Sequence, residues 1–100
     1  MAFYVVWDAE ITNRPGLEPY FAAVGPTIAK HGGRYLARGA SANPKLIEGG
    51  PEPKTIVILE FPDAASYDRW YNSAEYQKIL PLRLQNSKGR LFTLEGFKAT

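Results

Sequence analysis

The chain has 100 residues, of which 45% are hydrophobic and 22% charged, and this balance predicts one globular domain spanning residues 1–100. Twelve basic residues against ten acidic ones give a net charge of +2, and the absence of a basic run argues against a nucleic-acid partner. The lack of cysteine excludes disulfides, thiolate nucleophiles and cysteine-ligated metals.

The beginning of the chain, Met1 to Asp8, is apolar only briefly and has neither a basic leader nor a cleavage site. No stretch approaches the roughly 20 apolar residues that a membrane span needs. We therefore expect a soluble, cytoplasmic protein without a membrane partner.

The first half of the sequence predicts a strand, a helix and a second strand. Phe3–Trp7 is aromatic and β-branched, as strands are, and Asn13 followed by Pro15 is typical of a helix start. Pro26 is expected to kink this helix, and the glycines after His31 are expected to end it. The apolar stripe of the helix consists of Leu17, Tyr20, Phe21, Val24 and Ile28.

The middle of the chain predicts two strands joined by a long loop. Arg34–Gly39 has the composition of a strand, and Thr55–Phe61 is the strongest strand pattern in the sequence. Ala40–Lys54 is rich in Gly, Pro, Asn and Ser and predicts a loop, with Lys45–Glu48 as a candidate short strand.

The last third predicts helical segments followed by a final strand. Asp63 is a good N-cap for a helix over Ala64–Tyr71, and Ser73 is suited to cap the next one. Asn86–Gly89 predicts a turn before a strand at Arg90–Glu95. The resulting β-α-β-β-α-β order is the ferredoxin-like α+β arrangement, a four-stranded antiparallel sheet with helices on one face.

Alternation along each strand predicts which side chains face the helices. Val57, Leu59 and Phe61 form a purely apolar set that we expect to face them, and Phe92 and Leu94 are placed on the same side. A monomer rarely exposes a large apolar patch, so the opposite side predicts a homodimer formed sheet to sheet. A bulge that flips part of a strand is the alternative, because it makes the patch smaller. The apolar side chains of this patch are Tyr4, Val6, Leu36, Ile56, Ile58 and Leu91.

Several blocks of the sequence, in this order, are similar to one family. They are His31–Gly39, Glu60–Pro62 with Trp70–Ser73, Ser73–Gln77 with Pro81–Arg83, and Gly89–Leu91 with Glu95–Gly96. Together they resemble the domain-of-unknown-function family 1330. The resemblance implies a dimeric α+β barrel, a superfamily that includes cofactor-free antibiotic-type monooxygenases, muconolactone isomerases and relatives of the ethyl tert-butyl ether degradation protein. It implies no settled activity.

The catalytic candidates are Glu60, Glu95 and His31. A partly buried glutamate is able to act as an acid or base, or else it pairs with an arginine, and the two interpretations have equal weight. His31 is the only histidine; it suits general-base chemistry, but a place in the last turn of a helix is favoured. Arg34 and Arg38, on one strand face, are candidates to hold a substrate carboxylate, although ion pairs with neighbouring acids are favoured.

Further candidates for ligand binding are Tyr4, Arg83 and Trp70. Arg83 is expected to close over a pocket or to bridge to Glu60, or else to lie on a solvated helix face. Trp70 belongs to an aromatic group expected to form core and pocket rim. We place the pocket beside the sheet–dimer interface, bounded by Tyr4, Arg34, Glu60 and Glu95, with no metal and no cofactor.

The function hypothesis is binding of a small organic molecule in that pocket. A cofactor-free monooxygenase-like or isomerase-like enzyme is one alternative, and a non-catalytic structural or stress-associated dimeric module is another. The residues do not decide whether the protein is an enzyme, because no complete catalytic constellation is recognisable.

Overall fold

A computed structural model describes residues 2–38 and 43–97 of the chain. The strands are β1 (Phe3–Ile11), β2 (Arg34–Ala37), β3 (Thr55–Phe61) and β4 (Ser87–Glu95). The helices are α1 (Arg14–Lys30), α2 (Ala64–Tyr71) and α3 (Ala74–Gln85). The strands form one sheet in the order β2-β3-β1-β4 with antiparallel neighbours, and the helices pack on one side of it. The predicted ferredoxin-like α+β fold is confirmed, with the second helical region divided into α2 and α3.

The boundaries of β1 and β4 differ from the predicted ones. The two strands pair along nine residues each, from Phe3 opposite Glu95 to Ile11 opposite Ser87. β4 therefore begins where a turn over Asn86–Gly89 was predicted, and that turn prediction is wrong. Lys45–Glu48 forms no strand, while Gly39 and the start of the predicted loop, residues 40–42, lie outside the described residues.

Helix α1 continues through Pro26 as one helical segment and ends at the predicted glycines. Gly32 has a φ of 81°, the left-handed conformation that allows the chain to leave the helix and enter β2. The backbone N–H groups of Gly32 and Gly33 donate to carbonyls of the last helical turn. No helix within 2–38 or 43–97 has the length and apolar character needed to cross a membrane.

The core lies between the sheet and the helices. Its largest fully buried side chains are Trp70, Tyr76, Phe61, Leu17 and Val5. The Trp70 ring lies 4.1 Å from the Tyr76 ring and 5.4 Å from the Phe61 ring, measured between centroids. α2, α3 and β3 are thus joined by contacts among aromatic rings, which have the largest apolar surfaces to bury.

The two sides of β4 are opposite to the predicted ones. Leu91 is paired with Trp7 and lies on the helix side, whereas Phe92 is paired with Val6 and lies on the other side with Leu94. Glu95, paired with Phe3, also lies on the helix side, so it does not share a sheet face with Glu60. The cause is the pairing register with β1, which decides the side of every residue in a strand.

We call the uncovered side of the sheet the open face. Two of its large apolar side chains are well exposed, Phe92 at 41% and Leu94 at 47%. Charged pairs occupy two diagonally opposite corners, while apolar side chains occupy the area between them. The open face comprises Tyr4, Val6, Asp8, Arg34, Ile56, Ile58, Glu60, Arg90, Phe92 and Leu94.

Strand β2 contains an irregularity that separates its two arginines. Arg34 is paired with Glu60 and Tyr35 with Leu59, but the next pair is Ala37 with Ile58, so Leu36 is an extra residue. Such a bulge changes the side on which the following residues lie. The prediction that Arg34 and Arg38 share a strand face is therefore wrong, since Arg38 reaches the helix side.

Helix α2 begins with the predicted cap. Asp63 Oδ1 accepts a hydrogen bond of 2.7 Å from the backbone N–H of Ser66, and this bond lowers the pKa of Asp63 below its ordinary value of 3.8. A carboxyl whose pKa is lower in the folded state stabilises the protein above its unfolded pKa and loses this effect as the pH falls. The contribution of the cap therefore decreases below about pH 4.

We expect Asp63→Asn to remove this pH dependence, because asparagine caps a helix comparably well without titrating. The thermal midpoint, measured by circular dichroism, should decrease more between pH 6 and pH 3 for the natural protein than for the variant. Equal decreases in the two proteins would show that Asp63 does not contribute to acid sensitivity.

Candidate functional site

A cavity of about 200 Å³ lies between the sheet and the three helices. Its volume exceeds the roughly 150 Å³ of an apolar protein cavity that holds benzene, so it has room for a ring-sized molecule. The lining residues are Val5, Trp7, Arg14, Tyr20, Phe21, Val24, Ile28, Tyr35, Arg38, Thr55, Val57, Leu59, Trp70, Tyr76, Arg83 and Leu91.

The sheet and α1 form the apolar part of this cavity. β1 and β3 contribute alternate residues, such as Val5, Trp7 and Val57, because only every second side chain of a strand faces the helices. α1 contributes Val24 and Ile28, which lie one helical turn apart on the same side. These surfaces suit the apolar body of a ligand.

Trp70 is held in the wall of the cavity by a hydrogen bond from its indole. Its Nε1–H donates to Thr27 Oγ1 at 3.0 Å, and the Thr27 hydroxyl in turn donates to the Val24 carbonyl at 2.6 Å. Both groups are buried, so each needs these partners. The orientation of the Trp70 ring is thereby set by α1.

Two tyrosine hydroxyls meet at the cavity, those of Tyr20 from α1 and Tyr76 from α3, with their oxygens 2.9 Å apart. Burial, followed by the proximity of Tyr76, raises the pKa of Tyr20 far above the ordinary value of a tyrosine. Burial also raises the pKa of Tyr35, although the charge of Arg38 acts in the opposite direction. Tyr20 and Tyr35 therefore remain protonated at neutral pH and are not suited to act as bases.

Arginines supply the charge of the cavity. The Arg38 guanidinium lies 4.9 Å above the ring of Tyr35, and the Arg83 guanidinium lies 5.7 Å from the ring centroid of Trp7. Arg14 and Arg38 are exposed, whereas Arg83 is only 6% exposed. None of the described lining residues is an aspartate, glutamate or histidine, so the cavity carries positive charge without an acidic counterpart.

Three of the sequence-predicted ligand-binding residues, Arg38, Arg83 and Trp70, line this cavity. The other three lie on the open face: Tyr4, Arg34 and Glu60. Arg34 Nε donates to Glu60 Oε1 at 2.8 Å, which is the ion pair that the sequence left as the favoured alternative.

The three catalytic candidates are apart from the cavity. Glu60 lies on the open face, as described above. Glu95 is exposed near the end of β4, and His31 follows the last turn of α1. His31 Nδ1–H donates to the Thr27 carbonyl at 2.9 Å, and His31 Nε2 lies 3.8 Å from Glu75 Oε1. The cavity thus lies on the helix side of the sheet, whereas the predicted pocket borders the open face.

Four residues line the cavity that were not predicted from the sequence as site residues: Arg14, Tyr20, Tyr35 and Thr55. Tyr20 belongs to the apolar stripe of α1, and that pattern does not distinguish a side chain that fills the core from one that borders a cavity. Within residues 2–38 and 43–97, no cluster of acidic residues and histidine has a composition and spacing suited to a metal ion.

The family model described as "Domain of unknown function (DUF1330)" matches residues 2–97 of the chain. A comparison with curated proteins finds no significant match. Among solved structures, RPA0582 of Rhodopseudomonas palustris, a protein of unknown function, is similar with a TM-score of 0.78 and 18% identity. That match covers 98% of this chain and 84% of the other.

Two further solved structures share the fold. SnoaB of Streptomyces nogalater, described as a cofactor-independent oxygenase, has a TM-score of 0.63 and 13% identity over 98% of this chain and 93% of SnoaB. A protein described as an antibiotic biosynthesis monooxygenase has a TM-score of 0.61 and 16% identity over 98% of this chain and all of the other. At such identities the similarity establishes the fold alone.

Proposed function

We propose that this chain, which belongs to the DUF1330 family, binds a small organic molecule with an apolar, ring-sized body in the cavity between its sheet and helices. The main support is the cavity itself, since concave apolar sites with a few polar groups are the usual sites of small ligands. Its walls are set by packed aromatic rings and by the Trp70–Thr27 hydrogen bond, so the site is formed before a ligand arrives.

Binding is testable by intrinsic fluorescence, because both tryptophans of the chain, Trp7 and Trp70, line the cavity. We expect 4-isopropylbenzoate or 4-isopropylbenzamide to change tryptophan emission in a saturable way. At ten times its Kd such a ligand stabilises the folded state by about 1.4 kcal/mol, which raises the thermal midpoint by about 5–10 °C.

A matched pair of variants distinguishes the cavity from the remainder of the surface. Val57→Phe places a ring in the cavity and should abolish binding, whereas Ile56→Phe places the same ring on the open face and should preserve it. A lack of saturable binding by both compounds, or unchanged binding in Val57→Phe, would contradict the proposed function.

Cofactor-free oxygenation is the second candidate, because two solved structures with this fold carry oxygenase or monooxygenase in their names. The described cavity residues favour binding over this chemistry, since they include no carboxylate or imidazole to take a proton from a substrate. Oxygen uptake with hydroxylated aromatic compounds, measured with an electrode, tests the enzyme hypothesis directly. Oxygen uptake that depends on the protein and stops in Val57→Phe would favour an oxygenase function over ligand binding alone.

We also propose that two copies of the chain pair through the open face. Its apolar centre and charged corners match the usual arrangement of a protein interface, an apolar core inside a polar rim. The open face carries charges of both signs: Asp8 and Glu60 are acidic, and Arg34 and Arg90 are basic. A second copy related by a two-fold axis is therefore able to set acids against arginines.

A further inference from the structure

Among the described residues, Arg83 is a buried cation without an acidic partner. Its side chain is 6% exposed, and its Nε has no hydrogen-bond partner within the described residues. No carboxylate of residues 2–38 or 43–97 lies within ion-pair distance of its guanidinium. Buried charges are normally paired, so a guanidinium that no described carboxylate pairs with is suited to receive an anionic partner.

The contacts that Arg83 does make orient it without neutralising it. It lies in the last turn of α3, where Ser87 Oγ donates to its backbone carbonyl at 2.5 Å. Its guanidinium lies 5.7 Å from the Trp7 ring centroid, a cation–π distance. An aromatic face attracts the charge but accepts no directed pair of hydrogen bonds, so the planar fork of donors remains available.

The other charged groups at the cavity are donors as well. Arg14 and Arg38 lie at its exposed edge, and a guanidinium donates hydrogen bonds without accepting them. In the hydrogen bond between the hydroxyls of Tyr20 and Tyr76, one hydroxyl donates its proton and the other accepts it. The accepting hydroxyl still has its own proton to donate to a further acceptor. The cavity therefore offers an excess of donors and calls for a ligand that supplies acceptor oxygens.

We propose that Arg83 binds the anionic group of the ligand, so that the cavity selects a ring-sized molecule bearing a carboxylate or a similar planar oxyanion. This inference rests on the proposed function and adds the charge of the ligand to it. A carboxylate matches the guanidinium fork with two parallel hydrogen bonds. The apolar body of the molecule then extends along Trp7, Val57 and Trp70.

The test compares 4-isopropylbenzoate with 4-isopropylbenzamide, which has nearly the same shape but no charge, by isothermal titration calorimetry at pH 7. We expect the natural protein to bind the carboxylate at least tenfold more tightly than the amide. Arg83→Met should weaken carboxylate binding at least tenfold and change amide binding less than threefold. Arg69→Met removes an equal charge from an exposed position outside the cavity and should keep the carboxylate preference.

The thermal midpoint without ligand gives a second measurement. Arg83→Met should be at least as stable as the natural protein, because it replaces an unpaired buried cation with an apolar chain. If this variant does not fold, Arg83→Gln provides the same comparison, since it keeps a polar side chain without the charge. The preference for carboxylate should disappear in either variant.

Two results would overturn the inference. One is equal binding of carboxylate and amide by the natural protein, which leaves the proposed function intact. The other is a carboxylate preference that survives in a folded Arg83 variant. If neither compound binds, the proposed function itself fails, so the two failures are distinguishable.

Discussion

Replacing Trp70 with alanine should lower the free energy of unfolding by about 3–5 kcal/mol, the usual cost of removing a buried large aromatic side chain. Trp70 is 1% exposed and contacts Phe61 and Tyr76, so its loss leaves a void next to the existing cavity. A domain of this size has a total stability of about 5–15 kcal/mol, so the variant should be close to unfolding.

Urea unfolding followed by far-ultraviolet circular dichroism measures this effect. Trp70→Phe is the control, since it keeps an aromatic ring in place and should lose substantially less stability. Thr27→Val leaves the Trp70 indole N–H without its acceptor and should cost about 1–3 kcal/mol, whereas Thr27→Ser retains the hydroxyl. A decrease of less than about 1 kcal/mol for Trp70→Ala would contradict the role of this ring in the core.

Replacing Phe92 with glutamate should convert the proposed dimer to a monomer. Phe92 lies on the open face at the middle of the edge strand β4, in a row with Val6 and Ile58. In a two-fold dimer both copies bring the new carboxylate into an apolar interface, where an unpaired charge is costly. We expect the dimer dissociation constant to rise at least a hundredfold, about 2.7 kcal/mol.

Thr93→Glu is the matched control because Thr93 is the next residue of β4, is exposed and lies on the helix side. Sedimentation at micromolar concentration should give twice the mass of one chain for the natural protein and for Thr93→Glu, and a single-chain mass for Phe92→Glu. A monomeric natural protein would remove the dimer proposal. It would leave the cavity unaffected, since the cavity lies on the opposite side of the sheet.

The parts of the fold that local chemistry dictates were predictable from the sequence. β3 begins and ends where predicted, because its run of β-branched and apolar residues stops at Pro62. Asp63 and Ser73 cap the helices as predicted, since an N-cap depends on a side chain and a backbone N–H only three residues apart. The element order then restricts the topology to few arrangements.

The features that depend on pairing between distant segments were not predictable. β4 has apolar residues on both sides, so alternation alone did not decide between Leu91 and Phe92; the contact of Leu91 with Trp7 depends on the register with β1. The cavity was missed for a related reason. Tyr20 and Tyr76 have the spacing of core residues, and only the three-dimensional packing shows that space remains between them and the sheet.

The extra residue in β2 has a consequence for how relatives of this chain are compared. Two residues separate Tyr35 from Arg38, and in a regular strand of that length the arginine would point to the open face; here Leu36 takes no pairing position, and Arg38 reaches the cavity. A relative with one residue fewer at this point and a regular strand would still deliver an arginine to the cavity. Counting strand parity alone would therefore assign Arg38 to the open face, which is the wrong side, whereas an alignment that matches the two arginines and leaves a gap at the extra residue assigns this positive charge to the cavity.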